Sequence, residues 1–116
     1  MPSPRQRRGT EAEDRAADFL IQKGMRLIDR HVSSRYGEID LLMQDGETIV
    51  AVEVKARRSN VVGTALEAVT PTKYEKIAQT LYILCDDGNL SAENVRIDLV
   101  TVEPSGLQYY RGISPD

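Results

Sequence analysis

The 116-residue sequence contains one cysteine, Cys85, and one histidine, His31. A single cysteine excludes an internal disulfide and is typical of proteins from a reducing compartment. A single histidine excludes a zinc site built from several histidines, and a lone histidine is more often a surface or packed residue than a ligand. No apolar run approaches the ~18 residues of a membrane span, and the basic first residues lack the apolar segment of a signal peptide. We therefore expect a cytoplasmic protein without a membrane partner.

The sequence also lacks the excess of basic residues that nucleic-acid-binding proteins commonly carry, since its net charge is −3. The basic residues are nevertheless bunched near the N-terminus, shortly before residue 36 and again around residue 57. An ordinary mixed surface and a set of local phosphate-binding patches both explain this distribution. The length and the 41% content of hydrophobic residues are those of one soluble globular domain.

Residues 36–57, YGEIDLLMQDGETIVAVEVKAR, have the alternation of a β-hairpin around the turn dipeptide Asp45-Gly46. A turn at this dipeptide would place Gln44 opposite Glu47 and Asp40 diagonal to Glu53. Because side chains alternate along a strand, several polar residues would share one face. These residues are Glu38, Asp40, Glu53 and Lys55, and the opposite face would carry Ile39, Leu41, Val50, Val52 and Val54.

The polar face of this hairpin would be electrostatically unfavourable, because its carboxylates lie close together and Lys55 offsets only part of their charge. A divalent cation would relieve the repulsion, and Mg²⁺ typically takes few carboxylates and keeps several waters. The alternative is a solvated sheet face with a Glu–Lys pair. The apolar sequences of the flanking strands argue against a sheet that faces solvent on this side.

The segments GEIDLL (residues 37–42) and VEVKAR (residues 52–57) resemble the PD-(D/E)XK nuclease signature, with Asp40 as the first acid and Glu53 and Lys55 as the E-X-K pair. From residue 9 to about residue 102, the chain resembles the YraN-like family of small bacterial proteins. That family is related in fold to archaeal Holliday-junction resolvases and other restriction-endonuclease-like enzymes. His31 stands where the family usually has Asn, and Ala51 where it has Phe, but neither departure removes a candidate ligand.

The resemblance implies a nuclease that hydrolyses phosphodiester bonds with Mg²⁺ or Mn²⁺. The implied catalytic residues are Asp40, Glu53 and Lys55, and Lys55 would position or activate the attacking water. The implied metal ligands are Asp40, Glu53, the carbonyl of Val54, and Glu13 from the first helix. Glu38 would hold in place the groups around the ligands. A capping box with Thr10 would explain Glu13 without any chemistry.

The expected partner is nucleic acid, DNA rather than RNA, and branched DNA is one candidate substrate. The residues expected to contact phosphates are all basic and are Arg35, Arg57, Arg58 and Lys73. A homodimer is a further expectation, because the related resolvases are dimers. Two other functions fit the same sequence: a nucleic-acid-binding module of this fold without significant catalysis, and a protein-interaction protein with a vestigial acid cluster.

The expected architecture is an α/β, restriction-endonuclease-like domain with a central mixed sheet of about five strands flanked by helices. We expect a disordered basic arm over residues 1–8, a single domain over residues 9–112 and a frayed tail over residues 113–116. Within the domain, the patterns predict helices from Thr10 to Gly24 and from Thr70-Pro71 to residue 86. They predict strands at residues 26–34, 95–102 and 107–111 around the hairpin, a loop at 59–64 and a helical turn at 65–69. Asp98 is expected to be structural.

Overall fold

The computed structural model describes residues 4–57, 69–86 and 94–114, and only the backbone for residues 4–9. The elements in chain order are α1 (Pro4–Gln22), β1 (Arg26–Ser33), β2 (Glu38–Asp45), β3 (Thr48–Ala56), α2 (Pro71–Asp86), β4 (Asn94–Glu103) and β5 (Gly106–Tyr110). The expected loop at 59–64 and nearly all of the helical turn at 65–69 lie outside the described residues. Over the described part of the chain, neither helix combines the length and apolar character needed to cross a bilayer.

The five strands form one mixed sheet in the order β1-β2-β3-β4-β5. β3 and β4 are parallel, and the other three pairs are antiparallel. A parallel pair needs a long crossover, and α2 lies in this connection. The architecture confirms the expected α/β fold of restriction-endonuclease-like type.

The two helices cover opposite faces of the sheet. The core on the α1 side contains Leu20, Leu41, Val50 and Val52, whereas the core on the α2 side contains Ile39, Leu42, Ile49, Ala51, Ile77 and Leu81. The central strands are therefore buried on both faces, which explains their nearly continuous apolar sequence.

The first helix begins at Pro4, not at Thr10, so residues 4–8 are helical. Proline suits the first helical position, and arginine and glutamine are good helix formers, so the basic segment extends the helix. Because Thr10 lies inside α1, the capping-box explanation of Glu13 is wrong. The C-terminal end of α1 lies before Gly24, as predicted. Gly24 has a φ of 102°, and Met25 N–H donates to the Leu20 carbonyl at 3.1 Å in a Schellman arrangement.

The hairpin of β2 and β3 turns at Gly46 and Glu47 instead of Asp45-Gly46. Asp45 pairs with Thr48, and Gln44 lies opposite Ile49 rather than opposite Glu47. Gly46 has a φ of 61°, and the first central position of a type II′ turn favours glycine for this reason. The register differs from the expected one by an even number of residues, so the side chains of the paired segment keep their predicted faces.

The C-terminal strand runs from Gly106 to Tyr110, close to its expected bounds, and the chain beyond it returns to the sheet. Ile113 donates its backbone N–H to the Ile97 carbonyl at 2.9 Å and packs on the α2-side core. The tail expected to fray from residue 113 is therefore held at its first residue. Residues 115 and 116 lie outside the described part of the chain.

Candidate functional site

The carboxylate of Asp40 lies where β2 and β3 stop pairing. Leu41 opposite Val52 is the last pair of the hairpin, and Asp40 Oδ2 accepts a hydrogen bond from Val54 N–H at 2.9 Å. Ile39 packs on the α2 side while Leu41 packs on the α1 side, so the alternation of β2 breaks at Asp40. The prediction that Ile39 shares a face of the hairpin with Val52 is therefore wrong. The break turns the Asp40 carboxylate toward β3 and leaves it accessible from both faces of the sheet.

Glu53 is a buried carboxylate next to Asp40. It follows Val52, the last residue of β3 that pairs with β2, and its side chain is only 6% exposed. Burial raises the pKa of Glu53 to about 7, and the neighbouring Asp40 carboxylate adds to the rise. Lys73 acts in the opposite direction through an ion pair with Glu53. Two acids thus share one lysine, and the raised pKa of Glu53 reflects this incomplete compensation.

Lys73 reaches this site from the first turn of α2, whose N-terminus is fixed by its own sequence. Thr70 Oγ1 accepts the N–H of Lys73 at 3.2 Å, as an N-cap does, and Pro71 occupies the first helical position. The sequence predicted the start of α2 correctly, but it assigned Lys73 only to phosphate contact. The structure instead pairs Lys73 with Glu53.

A cleft of about 460 Å³ opens between the ends of the strands and the first turns of α2. Acidic side chains line its strand side, and two lysines line its helical side. These residues are Glu38, Asp40, Glu53, Lys73 and Lys76. Gly37 keeps the strand side close to the helix, because a Cβ at this position would lie only 3.1 Å from the Lys76 Cβ. The cleft therefore joins metal-binding oxygens to cationic groups that can contact an anion.

A second cluster lies beside Asp40 and is centred on His31. His31 Nε2 lies 2.8 Å from Glu13 Oε1, and its Nδ1 lies 2.6 Å from Glu38 Oε1. The hydrogen bond to Glu38 is the main reason that the pKa of His31 is raised. Burial raises the pKa of Glu13, and His31 partly offsets this. Glu13, His31 and Asp40 can each offer one ligand atom, and these atoms lie within 4.8 Å of one another.

The other residues predicted for the site are dispersed. Lys55 follows Glu53 on the same strand but is exposed, and no ion pair among the described residues includes it. Arg35 is exposed near the cleft mouth and stacks on the ring of Tyr36. Arg57 lines a different cleft, and its backbone N–H donates to the Val102 carbonyl. Arg58 lies outside the described residues.

Sequence reasoning missed the position of His31. The register of β1 and β2 pairs Arg30 with Leu41 and Val32 with Ile39, which leaves His31 across from Asp40. His31 also has a φ of 51°, a conformation that Asn and His adopt more readily than most residues. The usual Asn of the family at this position was the available signal, because it indicates a left-handed backbone.

Comparison with known proteins assigns the chain to a family. Residues 12–102 match the model of the family described as "Uncharacterised protein family UPF0102". The chain belongs to the UPF0102 family. This assignment confirms the resemblance to YraN-like proteins. UPF0102 proteins of Symbiobacterium thermophilum and Vibrio campbellii are 43% and 40% identical to it over 96 and 100 residues. These matches cover 83% and 84% of this chain and 81% and 82% of the relatives.

A third UPF0102 protein, from Paenarthrobacter aurescens, is 38% identical over 110 residues, which is 90% of this chain and 91% of the relative. The match to the UPF0102 model contains Glu13, His31, Asp40, Glu53 and Lys73. The candidate site is therefore part of the segment that defines the family.

Proposed function

We propose that this UPF0102 protein is a metal-dependent nuclease that hydrolyses phosphodiester bonds of nucleic acid. The observation that carries the proposal is the convergence of Asp40 and the buried Glu53 at the point where two strands part. The raised pKa of Glu53 supports a cation there, because negative charge at this point is only partly compensated by the chain itself.

The donor atoms at this point fit Mg²⁺ or Mn²⁺. Asp40 and Glu53 offer carboxylate oxygens, and the carbonyl of Val54 and the Glu13 carboxylate are the further oxygens assigned to the metal. Hard divalent cations prefer such ligands. The bound ion would polarise the scissile phosphate and lower the pKa of a coordinated water.

The remaining groups of the site would handle the substrate. Lys73 and Lys76 lie on the helical side of the cleft, where they can contact phosphate oxygens. Lys55, on the strand that carries Glu53, would position the attacking water or stabilise charge that develops on phosphorus. Glu38 would support the site through His31, with which it shares a hydrogen bond. DNA is the proposed substrate class.

A second candidate is a nucleic-acid-binding module of the same fold that does not cleave. The ion pair between Lys73 and Glu53 favours it, because Lys73 supplies a positive charge to the acid cluster without a metal. In this alternative, the lysines of α2 would bind phosphates and the buried acids would only fix the lysine. The two candidates differ in whether Asp40 is needed for anything beyond folding.

The test is a panel of labelled branched, duplex and single-stranded substrates incubated with Mn²⁺ or with EDTA. We expect cleavage of at least one substrate in Mn²⁺ and none in EDTA. Asp40→Asn should abolish cleavage, because it removes a negatively charged ligand while keeping the shape of the side chain. It should also abolish the rise in melting temperature that millimolar Mn²⁺ causes in the wild-type protein.

Asp18→Asn is the matched control, because Asp18 is an exposed acid on α1 that does not line the cleft. This variant should cleave and bind Mn²⁺ like the wild type. Binding of nucleic acid by the wild type without cleavage of any substrate would favour the binding module. A melting temperature that does not change when Mn²⁺ is added would contradict the proposed metal site.

A further inference from the structure

We propose that His31 is a metal ligand, which with Glu13 and Asp40 forms a position for a first-row transition-metal ion on the α1 side of Asp40. The three residues come from α1, β1 and β2, and one potential ligand atom of each lies within 4.8 Å of the others. The inference rests on the metal site of the proposed function, because Asp40 and Glu13 belong to both. It adds the class of metal that this chain selects.

The orientation of His31 is that of a metal-binding imidazole. Its Nε2 faces Glu13 at 2.8 Å, while its Nδ1 is held by Glu38 at 2.6 Å. A histidine that binds a metal through one nitrogen usually donates its other N–H to a carboxylate or carbonyl, which fixes the ring and its tautomer. Glu38 supplies that carboxylate.

The charges around His31 also favour a cation. Glu13, Glu38 and Asp40 surround one imidazole, so the carboxylates outnumber the positive charge that His31 can carry. Arg30 offsets part of this excess at Glu13, but its guanidinium is held by Asp14 at 2.6 Å. Lys73 pairs with Glu53 on the other side of Asp40. A divalent ion between Glu13, His31 and Asp40 would neutralise the excess and replace the hydrogen bond between Glu13 and His31.

The ligand set determines which ion fits. Mg²⁺ and Ca²⁺ prefer oxygen donors, whereas imidazole suits Zn²⁺, Co²⁺ and the other later first-row ions. Two carboxylates and one imidazole therefore favour a transition-metal ion over Mg²⁺. His31 would set this preference, because Glu13 and Asp40 alone offer only oxygen donors.

The test uses the purified full chain without nucleic acid, titrated with Co²⁺ and with Mg²⁺. We expect the wild type to bind Co²⁺ more tightly than Mg²⁺, with a visible d–d spectrum of the bound Co²⁺ that changes in His31→Asn. His31→Asn should weaken Co²⁺ binding by about 10-fold or more and change Mg²⁺ binding by less than about 2-fold. Asn also tolerates the positive φ at residue 31, so this variant should fold.

A second readout uses Zn²⁺ and ¹⁵N-histidine labelling, which gives one imidazole because His31 is the single histidine of the chain. Zn²⁺ should shift the Nε2 resonance by direct coordination, and Glu38→Gln should weaken Zn²⁺ binding by about 10-fold. Asp18→Asn, which changes an exposed acid on the same helix, should leave Zn²⁺ binding unchanged. An unmoved Nε2 resonance, or equal Co²⁺ affinities of wild type and His31→Asn, would overturn the inference.

The outcomes separate this inference from the proposed function. If Mg²⁺ and Co²⁺ bind the wild type and His31→Asn alike, only the role of His31 fails, and the oxygen site with Asp40 and Glu53 stands. If neither ion binds the wild type, the metal site of the proposed nuclease fails as well. Tight Co²⁺ binding through His31 in a protein that cleaves no nucleic acid would uphold this inference and contradict the nuclease.

Discussion

Two buried carboxylates lie on neighbouring parallel strands of the sheet, and their surroundings differ. Asp98 on β4 is fully buried and accepts hydrogen bonds from Arg96 Nε at 3.1 Å, Tyr109 OH at 2.6 Å and Gly112 N–H at 2.8 Å. Glu53 on β3 is almost as buried, but among the described residues Lys73 is its one cationic partner, and Asp40 is a neighbour of like charge. Burial alone therefore does not distinguish a structural acid from a functional one.

The two acids differ in how completely the surrounding groups compensate the carboxylate charge. A buried charge that is paired and fully hydrogen-bonded has little to offer a ligand, whereas one that is only partly compensated gains from a cation. Burial and the contact with Asp98 raise the pKa of Tyr109 to about 12, so its hydroxyl stays protonated and remains a donor to Asp98. This confirms the expectation that Asp98 is structural. Glu53 keeps unused coordination capacity beside Asp40.

The largest expected effect is on stability. Asp98→Asn should destabilise the protein by about 3–5 kcal/mol, because it removes the charge of a fully buried carboxylate that the partly buried Arg96, Tyr109 and Gly112 N–H all contact. Glu53→Gln should cost less than about 1 kcal/mol at pH 8 or stabilise the protein, because it removes a buried charge. Urea unfolding in EDTA measures both. Tyr109→Phe removes a single donor to Asp98 and provides a milder variant if Asp98→Asn does not fold. Equal costs for Asp98→Asn and Glu53→Gln would remove the distinction between the two acids.

Most of the fold could be predicted from the sequence, because it depends on local patterns. The hairpin, the N-cap at Thr70 and the apolar run of β4 each identify an element from adjacent residues. The start of α1 could not be predicted from Thr10, because the arginines of the basic arm favour a helix as readily as a disordered segment. The predicted register of the hairpin was wrong because Asp45-Gly46 and Gly46-Glu47 are both acceptable turns. The strand pairing decides between them.

The candidate site could be predicted only in part, because it depends on contacts between distant segments. Asp40 and Glu53 are identified by their spacing around one turn. The ion pair of Lys73 with Glu53 and the contact of His31 with Glu13 join residues from different elements, and alternation within one strand does not reveal them. The break in alternation at Asp40 has the same origin, since it follows from the hydrogen bond of its carboxylate to Val54 on β3.

The next effect is the dependence of stability on pH. The pKa of Glu53 is raised to about 7 in the folded protein from 4.5, so the folded state retains a proton that the unfolded state loses. Stability should therefore fall as pH rises from 4.5 to 7, by about 3 kcal/mol from this group. The raised pKa of His31 acts in the same direction, since its stabilisation is lost as pH rises through the folded pKa.

Urea unfolding in EDTA at pH 5 and pH 8 tests this sign. The wild type should be more stable at pH 5, and Glu53→Gln should remove most of the difference and leave the smaller part due to His31. Asp14→Asn should keep the wild-type difference, because Asp14 lies outside the acid cluster. A wild type that is more stable at pH 8 in EDTA would show that the acids are better compensated than the structure indicates.

The smallest expected effect, about 100-fold in rate or roughly 2.7 kcal/mol, separates the two lysines near Glu53. Lys55 is exposed and unpaired among the described residues, whereas Lys73 is already engaged with Glu53. A lysine free to follow the attacking water should contribute more to catalysis than one held by a carboxylate. Lys55→Ala should therefore lower the single-turnover rate in Mn²⁺ by about 100-fold while the dissociation constant in Ca²⁺ stays near normal.

Lys73→Ala should behave differently, because Lys73 would compete with the proposed metal for Glu53. Its removal should tighten Mn²⁺ binding at pH 8, where Glu53 is ionised, and lower the rate by less than about 10-fold through one lost phosphate contact. Lys23→Ala is the control for charge, since Lys23 lies over the rings of Phe19 and Tyr109. A larger loss of rate in Lys73→Ala than in Lys55→Ala would transfer the catalytic role to Lys73. Glu53 would then act mainly by positioning that lysine, and its likeness to the structural Asp98 would be greater than its surroundings suggest.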